Sequence, residues 1–467
     1  MDISLENTPQ SLKSIPGPKG NFLTGNLSEI DFELLHQYVK KHAFEYGAIY
    51  RLTFAHKPVI VLSDPETIRT ILKNRPEKFR RISNMQTVFS EIGANGVFSS
   101  EGDEWRTQRK IMNQAFKTSQ IKNYLPIIDQ STERLKTVMN EIAQNGESID
   151  IQALFQRYTV DITSNLAFGY DMNSLYNDDS TLQEKINVIF PMIGNRIKAP
   201  FPYWRYFKLK KDRQFEEAID FFKQQSQLFI KAAEENINSG KKPDNILESM
   251  ITARDETENS FTEQQLFPNI LAILLAGEDT TANTLGWVIH YLAENPEYQT
   301  KIHNEIDSNL NQLDSEKVSE LNDFPLLSAA LQEAMRLMPV APFLYLENNS
   351  PENIHNYHIP AGTMIIVLLS QSGHLEQEFS EPEKFIPERW LNLTTEKKKK
   401  YAKDLMHFGS GTRQCPGMQL SLMEMKSALV MLLKYFTFSN ENNSKKVQDT
   451  FAFTVMPKNL MINIKQR

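Results

Sequence analysis

The stretch FGSGTRQCPG, Phe408 to Gly417, holds the only cysteine of the chain, Cys415. A structural cysteine behaves as a small buried hydrophobe and asks for apolar neighbours. Here the neighbours are glycine, arginine and proline. Gly409, Gly411 and Gly417 let the backbone come close to the sulfur and adopt positive φ. Beyond Pro416, the residues Met418, Leu422, Met425, Leu429, Leu432 and Phe436 recur at steps of four and three, one apolar helix face. Proline suits the first helical position, so the sulfur is expected at a helix N-terminus. There the helix dipole and open N–H groups favour thiolate over thiol. A thiolate held this way is a metal ligand or a nucleophile. A nucleophile needs a base, and His407 is near in sequence.

A second chemical group lies in LLAGEDTTAN, Leu274 to Asn283. Glu278 and Asp279 put acids beside an apolar run. Gly277 weakens the helix, and Thr280 and Thr281 can bond back to carbonyls such as that of Ala276. Together these could open the helical ladder as a π-bulge does; simple exposure of the helix at this point accounts for the same residues. Two further stretches carry charge in fixed spacing. In QEAMR, Glu333 and Arg336 share a helix face, which alone reads as a surface ion pair of little worth. In FIPERW, Arg389 stands between a carboxylate and an aromatic.

The elements that must position these groups are mostly helical. Apolar residues recur at helical spacing in DEWRTQRKIMNQAF, in TLQEKINVIFPMI up to its proline, and in QFEEAIDFFKQQSQLFIKAAEENI. Ser260 and Glu263 match a capping box that starts a long helix through LLAGEDTTAN to about Leu292, with Pro268 able to kink its early turns. Strand-like runs are AIYRLTF, KPVIVLS, TMIIVLL, FAFTVMP and LMINI. The lysines Lys397 to Lys400 read as a solvated turn. The expectation is a mainly α fold with a small β portion near 45–65, 340–370 and 450–465, within a single domain over residues 1–467.

Bulk properties exclude several classes. One cysteine forbids an intrachain disulfide and fits a reducing compartment. A net charge of -7 argues against a nucleic-acid partner. The segment MDISLENTPQSLKSIPGPKGNF lacks the basic and apolar regions of a signal peptide. No apolar run reaches the ~18 residues of a transmembrane helix. A soluble, cytoplasmic monomer without a transmembrane anchor is expected.

The four stretches in this order resemble the cytochrome P-450 family, the haem-thiolate monooxygenases, and a soluble bacterial-type member in particular. FGSGTRQCPG matches the signature F-x-x-G-x-R-x-C-x-G at every specified position; AGEDTT is similar to the family's oxygen-activating helix motif, EAMR to its E-x-x-R, and FIPERW to its P-E-R-F/W segment. WRTQR, Trp105 to Arg109, resembles the W-x-x-x-R of an early helix, and IPGPKG the proline-rich lead-in.

The resemblance implies haem b, iron protoporphyrin IX without covalent attachment, between a long central helix and the Cys-loop helix. Cys415 would ligate the iron, Phe408 would pack near sulfur and porphyrin, and Gly409, Gly417 and Ala276 would border the cofactor. Arg413, Trp105 and Arg109 would meet the propionates, for which arginine is suited. Asp279 and Thr280 would deliver the two protons that splitting dioxygen requires, Glu278 occupying a variable position. Glu333, Arg336 and Arg389 would form a buried, fold-supporting network. Phe89, Val97, Phe98, Ile273, Val340, Ala341, Phe343 and Phe453 would line an apolar pocket for a lipophilic substrate such as a fatty acid, terpenoid or steroid. Electrons would come from a separate ferredoxin or flavodoxin-type donor and its reductase, with Arg106 and Lys110 as basic contacts. One departure is the lack of an arginine or histidine in FLYLENN, which leaves the propionates to Trp105, Arg109 and Arg413. A haem-thiolate peroxygenase or isomerase, and a non-catalytic haem sensor, are the alternatives; the Asp279–Thr280 pair speaks against the first and the apolar lining against the second.

Overall fold

The computed structural model describes residues 9–177, 181–199, 201–255, 261–310, 324–441 and 445–467. In chain order the elements begin with β1 (Gln10–Ser11), α1 (Leu35–Tyr46), β2 (Ile49–Phe54), β3 (Lys57–Leu62), α2 (Pro65–Lys73), β4 (Phe79–Arg81) and α3 (Ser83–Glu91). A helical stretch follows: α4 (Gly102–Ala115), α5 (Thr118–Asn145), the short β5 (Ile149–Asp150), α6 (Ile151–Phe168), α7 (Thr181–Lys198), α8 (Lys210–Asn238), α9 (Ile246–Asp255), α10 (Leu266–Glu294), α11 (Pro296–Leu310) and α12 (Pro325–Leu337). The last part holds β6 (Phe343–Asn348), β7 (Glu352–Ile354), β8 (Tyr357–Ile359), β9 (Met364–Leu368), α13 (Thr395–Asp404), α14 (Met418–Tyr435), β10 (Phe436–Asn440), β11 (Gln448–Phe451), β12 (Val455–Lys458) and β13 (Met461–Gln466). The fold is mainly α with a small β portion, as the periodicity indicates.

Contacts divide the chain into two compact units, each built from separate segments: Met1–Asn84 with Ala341–Lys384 and Leu393–Cys415, and Met85–Val340 with Phe385–Asn392 and Pro416–Arg467. The first unit is organised by a five-stranded sheet of order β2-β3-β9-β6-β4. β3 pairs antiparallel with β2 and parallel with β9, Val59 opposite Met364. Val59 to Leu62 are all buried, the continuous apolar run of a strand covered on both faces. Asp64 caps α2 by accepting from the Thr67 N–H at 2.8 Å, and Pro65 fills the first turn. Ile68, Ile71 and Leu72 of α2 then join Ile60, Leu346 and Ile365 in the core.

The second unit is helical. α10 packs along α6, and the approach is close at Gly277, where an added Cβ would lie 2.8 Å from the Thr163 side chain. The strands β10, β13 and β5 form one small sheet, and β11–β12 a hairpin.

Four local expectations are corrected. α7 does not stop at Pro191 but carries it inside the helix; a proline costs one hydrogen bond and a carbonyl clash, which the rest of an eighteen-residue helix outweighs. The lysines Lys397 to Lys400 belong to α13, not a turn: Thr394 caps it by accepting from the Lys397 N–H at 3.2 Å, and lysine is a good helix former. FAFTVMP is not one strand but two strand ends joined by a turn through Ala452–Thr454. Ser260 lies outside the described residues; the capping box found here is formed by Thr262 and Gln265. Among the described residues no helix is long and apolar enough to cross a membrane.

Candidate functional site

Phe408, Gly409, Arg413 and Cys415 share one loop of the first unit. Gly409 and Gly411 have φ of 70° and 72°, the left-handed region where glycine carries no side-chain penalty. A Cβ on Gly411 would stand 2.5 Å from the Leu72 carbonyl oxygen at the end of α2. The Thr412 hydroxyl donates to the Arg75 carbonyl at 2.7 Å, so the loop is pinned to the chain after α2. A 3-10 turn, Gly411–Arg413, leads into Cys415, whose N–H donates to the Phe408 carbonyl at 2.9 Å. Cys415 is exposed, unusual for a residue type that is normally among the most buried. The helix after it starts later than expected: α14 begins at Met418 with Gly417 at its N-cap. Pro416 is therefore not the first helical residue, because the cap position falls to the following glycine. On the apolar stripe, Met425, Leu429, Leu432 and Phe436 are buried, while Met418 and Leu422 nearest the cysteine are half-exposed.

Asp279 and Thr280 lie at mid-length on α10. The helix stays α throughout Leu266–Glu294, so the expected π-like opening is not present. The threonine back-bond is: the Thr280 hydroxyl donates to the Ala276 carbonyl at 2.7 Å, and Thr284 repeats the pattern to the Thr280 carbonyl at 2.8 Å. The back-bond adds to the helical ladder instead of replacing it. Ala276 is exposed, Ile273, Gly277, Asp279 and Thr280 are half-buried, and Glu278 is buried on the other side. The helix is thus covered almost all round except along this short face. Burial pushes the Asp279 carboxyl above the usual carboxylate range, and the Gln156 amide of α6, 3.5 Å from Oδ1, opposes that rise. No sequence motif pointed to Gln156.

Trp105 is buried on α4, and Arg109 is half-buried one turn later. Of the two basic residues suggested for a partner, Lys110 is exposed, and Arg106 is exposed and paired with Asp103. The loop before α4 is tied to α10 by Asn269, which sequence reasoning missed. Its Oδ1 accepts from the Val97 N–H at 2.9 Å, and its Nδ2 donates to Gln108 Oε1 at 3.2 Å. That tie brings Phe98 to Phe453, ring centres 5.7 Å apart, and to Phe89 at 5.8 Å. Phe89 is fully buried behind the half-buried Phe98 and Phe453; Val97 and Val340 are also half-buried. In the first unit, Ala341 is half-buried and Phe343 is buried at the start of β6, its ring 5.2 Å from Tyr345.

Glu333 is the best-connected carboxylate here. It is fully buried, as is Arg336 at 1% exposure. Its oxygens accept from Arg336 Nε and Nη2, each at 2.8 Å, from Arg389 Nε at 2.8 Å, from Trp390 Nε1 at 2.8 Å and from the Ile386 N–H at 3.0 Å. The pair is a buried hub and not a surface bridge. The aromatic of FIPERW supplies one of its donors, a role its position did not reveal.

The donor set agrees with a haem-thiolate group. Among the described residues no cluster of three or more His, Cys, Asp or Glu could hold a metal ion. A single exposed thiol in a glycine-rich loop suits a metal whose remaining ligands come from a macrocycle.

The family model described as Cytochrome P450 matches residues 15–464. Cytochrome P450 3A11 of Mus musculus is 26% identical over 441 residues, covering 91% of this chain and 86% of that protein. Cytochrome P450 3A6 of Oryctolagus cuniculus is 27% identical over 448 residues, covering 91% and 85%. The crystal structure of a cytochrome P450, CYP102L1, superposes with a TM-score of 0.84 over 98% of this chain and all of that one, at 23% identity, and so speaks for the fold. With one family model spanning nearly its whole length, the chain belongs to the cytochrome P450 family and is a haem-dependent monooxygenase.

Proposed function

We propose that this monooxygenase, acting as one catalytic domain, inserts one oxygen atom of O2 into a lipophilic substrate of the fatty acid, terpenoid or steroid kind. The electrons come from a separate ferredoxin or flavodoxin-type donor with its reductase, and the enzyme works as a cytoplasmic monomer. The observation that carries the substrate class is the contiguous ring set Phe89, Phe98 and Phe453. An apolar wall recognises shape and hydrophobic area, not charge.

Bound haem supplies the redox chemistry that activates dioxygen. Cys415 would hold the haem iron through its thiolate, and backbone N–H groups of the Gly-rich loop around it would tune how strongly that thiolate binds. Arg413, Arg109 and Trp105 would hold the propionates of this group, and Phe408, Gly409, Gly417 and Ala276 would border it. Asp279 and Thr280 hold and pass protons: Thr280 through its hydroxyl, Asp279 through a carboxyl that burial biases toward its protonated form. Gln156 orients that carboxyl. Ile273 and Val97 extend this apolar lining. Glu333, Arg336 and Arg389 keep the fold and take no part in the chemistry.

The test is a screen of lipophilic compounds for the low-spin to high-spin shift of the purified haem protein. Several apolar ligands should shift it with saturable curves, and charged polar compounds should not. A protein that shifts only with polar ligands would overturn the assignment of the substrate class.

A further inference from the structure

Phe453 sits on the tip of the β11–β12 hairpin, where Ala452, Phe453 and Thr454 join the paired ends Phe451 and Val455. A hairpin of two strands is marginal by itself, so the tip takes its place from what it is tied to. Ala452 is exposed and Phe453 half-buried, but Thr454 is buried. A buried hydroxyl needs a partner, and Asn283 of α10 supplies it: its Nδ2 donates to Thr454 Oγ1 at 2.9 Å. Asn283 is fully buried, and its Oδ1 accepts from Nε2 of the buried Gln152 on α6. With the oxygen taken, the nitrogen end of the amide must face Thr454. Gly286 makes the room: a Cβ there would collide with Gln152 Oε1 and stand 3.1 Å from Pro457 Cγ of β12.

The facing ring is held by the same device. Phe98 follows Val97, whose N–H is taken by Asn269; Phe453 precedes Thr454, whose hydroxyl is taken by Asn283. Asn269 is also fully buried. The two asparagines are fourteen residues apart on α10, about four turns, and so share one side of the helix. The two rings meet with centres 5.7 Å apart. Lys198 also donates to the Ala452 carbonyl at 3.3 Å, but at the surface, where water competes. Stability does not require buried amides here: replacing both partners of a buried hydrogen bond by apolar groups of the same shape is close to neutral. What the bond adds is direction. Apolar contacts allow sliding, whereas a buried amide and hydroxyl hold one distance and one angle.

We propose that Asn283, oriented by Gln152, is a positioning residue for substrate selection: with Asn269 it fixes the gap between Phe98 and Phe453, and so makes the pocket take compact apolar substrates over broad ones. The proposal deepens the substrate reading above and rests on these two rings lining the pocket. Held in contact, the rings close the pocket along this side. When the Thr454 hydroxyl is lost, the tip is free to swing, Phe453 leaves Phe98, and a broader apolar body fits. Asn283 has no exposed surface and acts through Thr454 and Phe453, not by touching substrate.

The test titrates the haem-loaded protein with two azoles whose imidazole nitrogen ligates ferric haem, phenylimidazole as the compact ligand and bifonazole as the broad one, and reads the ratio of their dissociation constants from the Soret shift. Thr454→Val, which keeps the shape and removes the hydroxyl, should move the ratio several-fold toward bifonazole. Asn283→Leu should do the same, and Thr454→Ser, which keeps the hydroxyl, should restore the wild-type ratio. Hydrogen exchange of the peptide 448–458 should be faster in Thr454→Val than in wild type or Thr454→Ser. A thermal melt separates a plain scaffold: a Thr454→Val protein that melts lower but keeps the wild-type ratio overturns the positioning role, and so does a Thr454→Ser protein that behaves like Thr454→Val. Phe453→Ala is the reference. If it shifts the ratio while Thr454→Val and Asn283→Leu do not, the positioning role alone falls. If Phe453→Ala leaves the ratio unchanged, the rings do not line the pocket, and the substrate reading falls with the proposal.

Discussion

Replacing Glu333 by glutamine keeps the side chain's shape and removes one charge. In the native protein one carboxylate takes five hydrogen-bond donors, three of them from guanidinium groups. A glutamine can place its carbonyl on only one side. If it serves Arg336 Nη2, Arg389 and Ile386, its own N–H groups point at Arg336 Nε and the Trp390 indole, donor against donor. The Arg336 side chain has no exposed surface, so its charge stays buried while the carboxylate that accepts two of its N–H groups is gone. Breaking one member of a buried pair costs ~3–5 kcal/mol, about a fifth or more of a typical ~5–15 kcal/mol stability. At ~2 °C per kcal/mol, the lower end for larger domains, the melting temperature should fall by about 6–10 °C. Haem content per chain should fall with it. The reference variant is Glu216→Gln, which breaks the exposed pair with Lys208 and should cost under ~1 kcal/mol. The assay is a thermal melt with the haem-to-protein absorbance ratio. A Glu333→Gln protein fully loaded with haem and melting within the range of Glu216→Gln would refute the reasoning.

Further outcomes are expected. Cys415→Ser should abolish the strongly red-shifted carbon monoxide band of the reduced protein, measured by difference spectroscopy. Thr280→Ala and Asp279→Asn should bind haem normally yet consume reductant without matching product. Because burial raises the Asp279 pKa in the fold, its ionised form opposes folding at neutral pH, and stability is lost as pH rises through the folded value; Asp279→Asn should therefore melt no lower than wild type at pH 7. Phe98→Ala and Phe453→Ala should change the ratio of oxidised positions more than the rate; an unchanged ratio with a fall of ~3–5 kcal/mol in stability would make both rings plain core. Finally, burial holds the His303 imidazole down to about 4, against an ordinary value of 6.5. Between those pH values the unfolded chain binds more protons, so stability falls as pH is lowered through that window. His303→Gln should flatten the decline between pH 6.5 and 4, read from melting temperatures.

The local patterns that were legible in the sequence share a property: they depend on neighbours in the chain. The apolar stripe after Cys415, the strands around Val59 and Ile365, and the long helix through Asp279 follow from periodicity, and the α10 helix ends two residues beyond the expected Leu292. The Thr280 back-bond to Ala276 is likewise local and was foreseeable. What stayed hidden depends on distant partners. Asn269 looks like an ordinary polar residue in an apolar helix until Val97 and Gln108 are brought to it. Trp390 reads as a bulky aromatic until its indole N–H meets Glu333, 57 residues away. Gln156 and Asp279 are 123 residues apart. The lysines of α13 misled in the opposite direction, because charge density suggested a turn where propensity and the Thr394 cap make a helix.

The parallel pairing of β3 with β9, Val59 opposite Met364, has a consequence during synthesis. Roughly 300 residues separate the partners, and ribosomes add about 5–20 residues per second. For some 15–60 s the β2–β3 hairpin exists with one flank unpaired, showing the apolar run Val59–Leu62 and a row of open N–H and C=O groups. Such an edge is a template for pairing with another nascent chain. The yield of this enzyme in a cell is therefore set in part by how well chaperones cover that hairpin before Met364 emerges, and slower translation of the intervening helices would lower the yield even though the finished protein is unchanged.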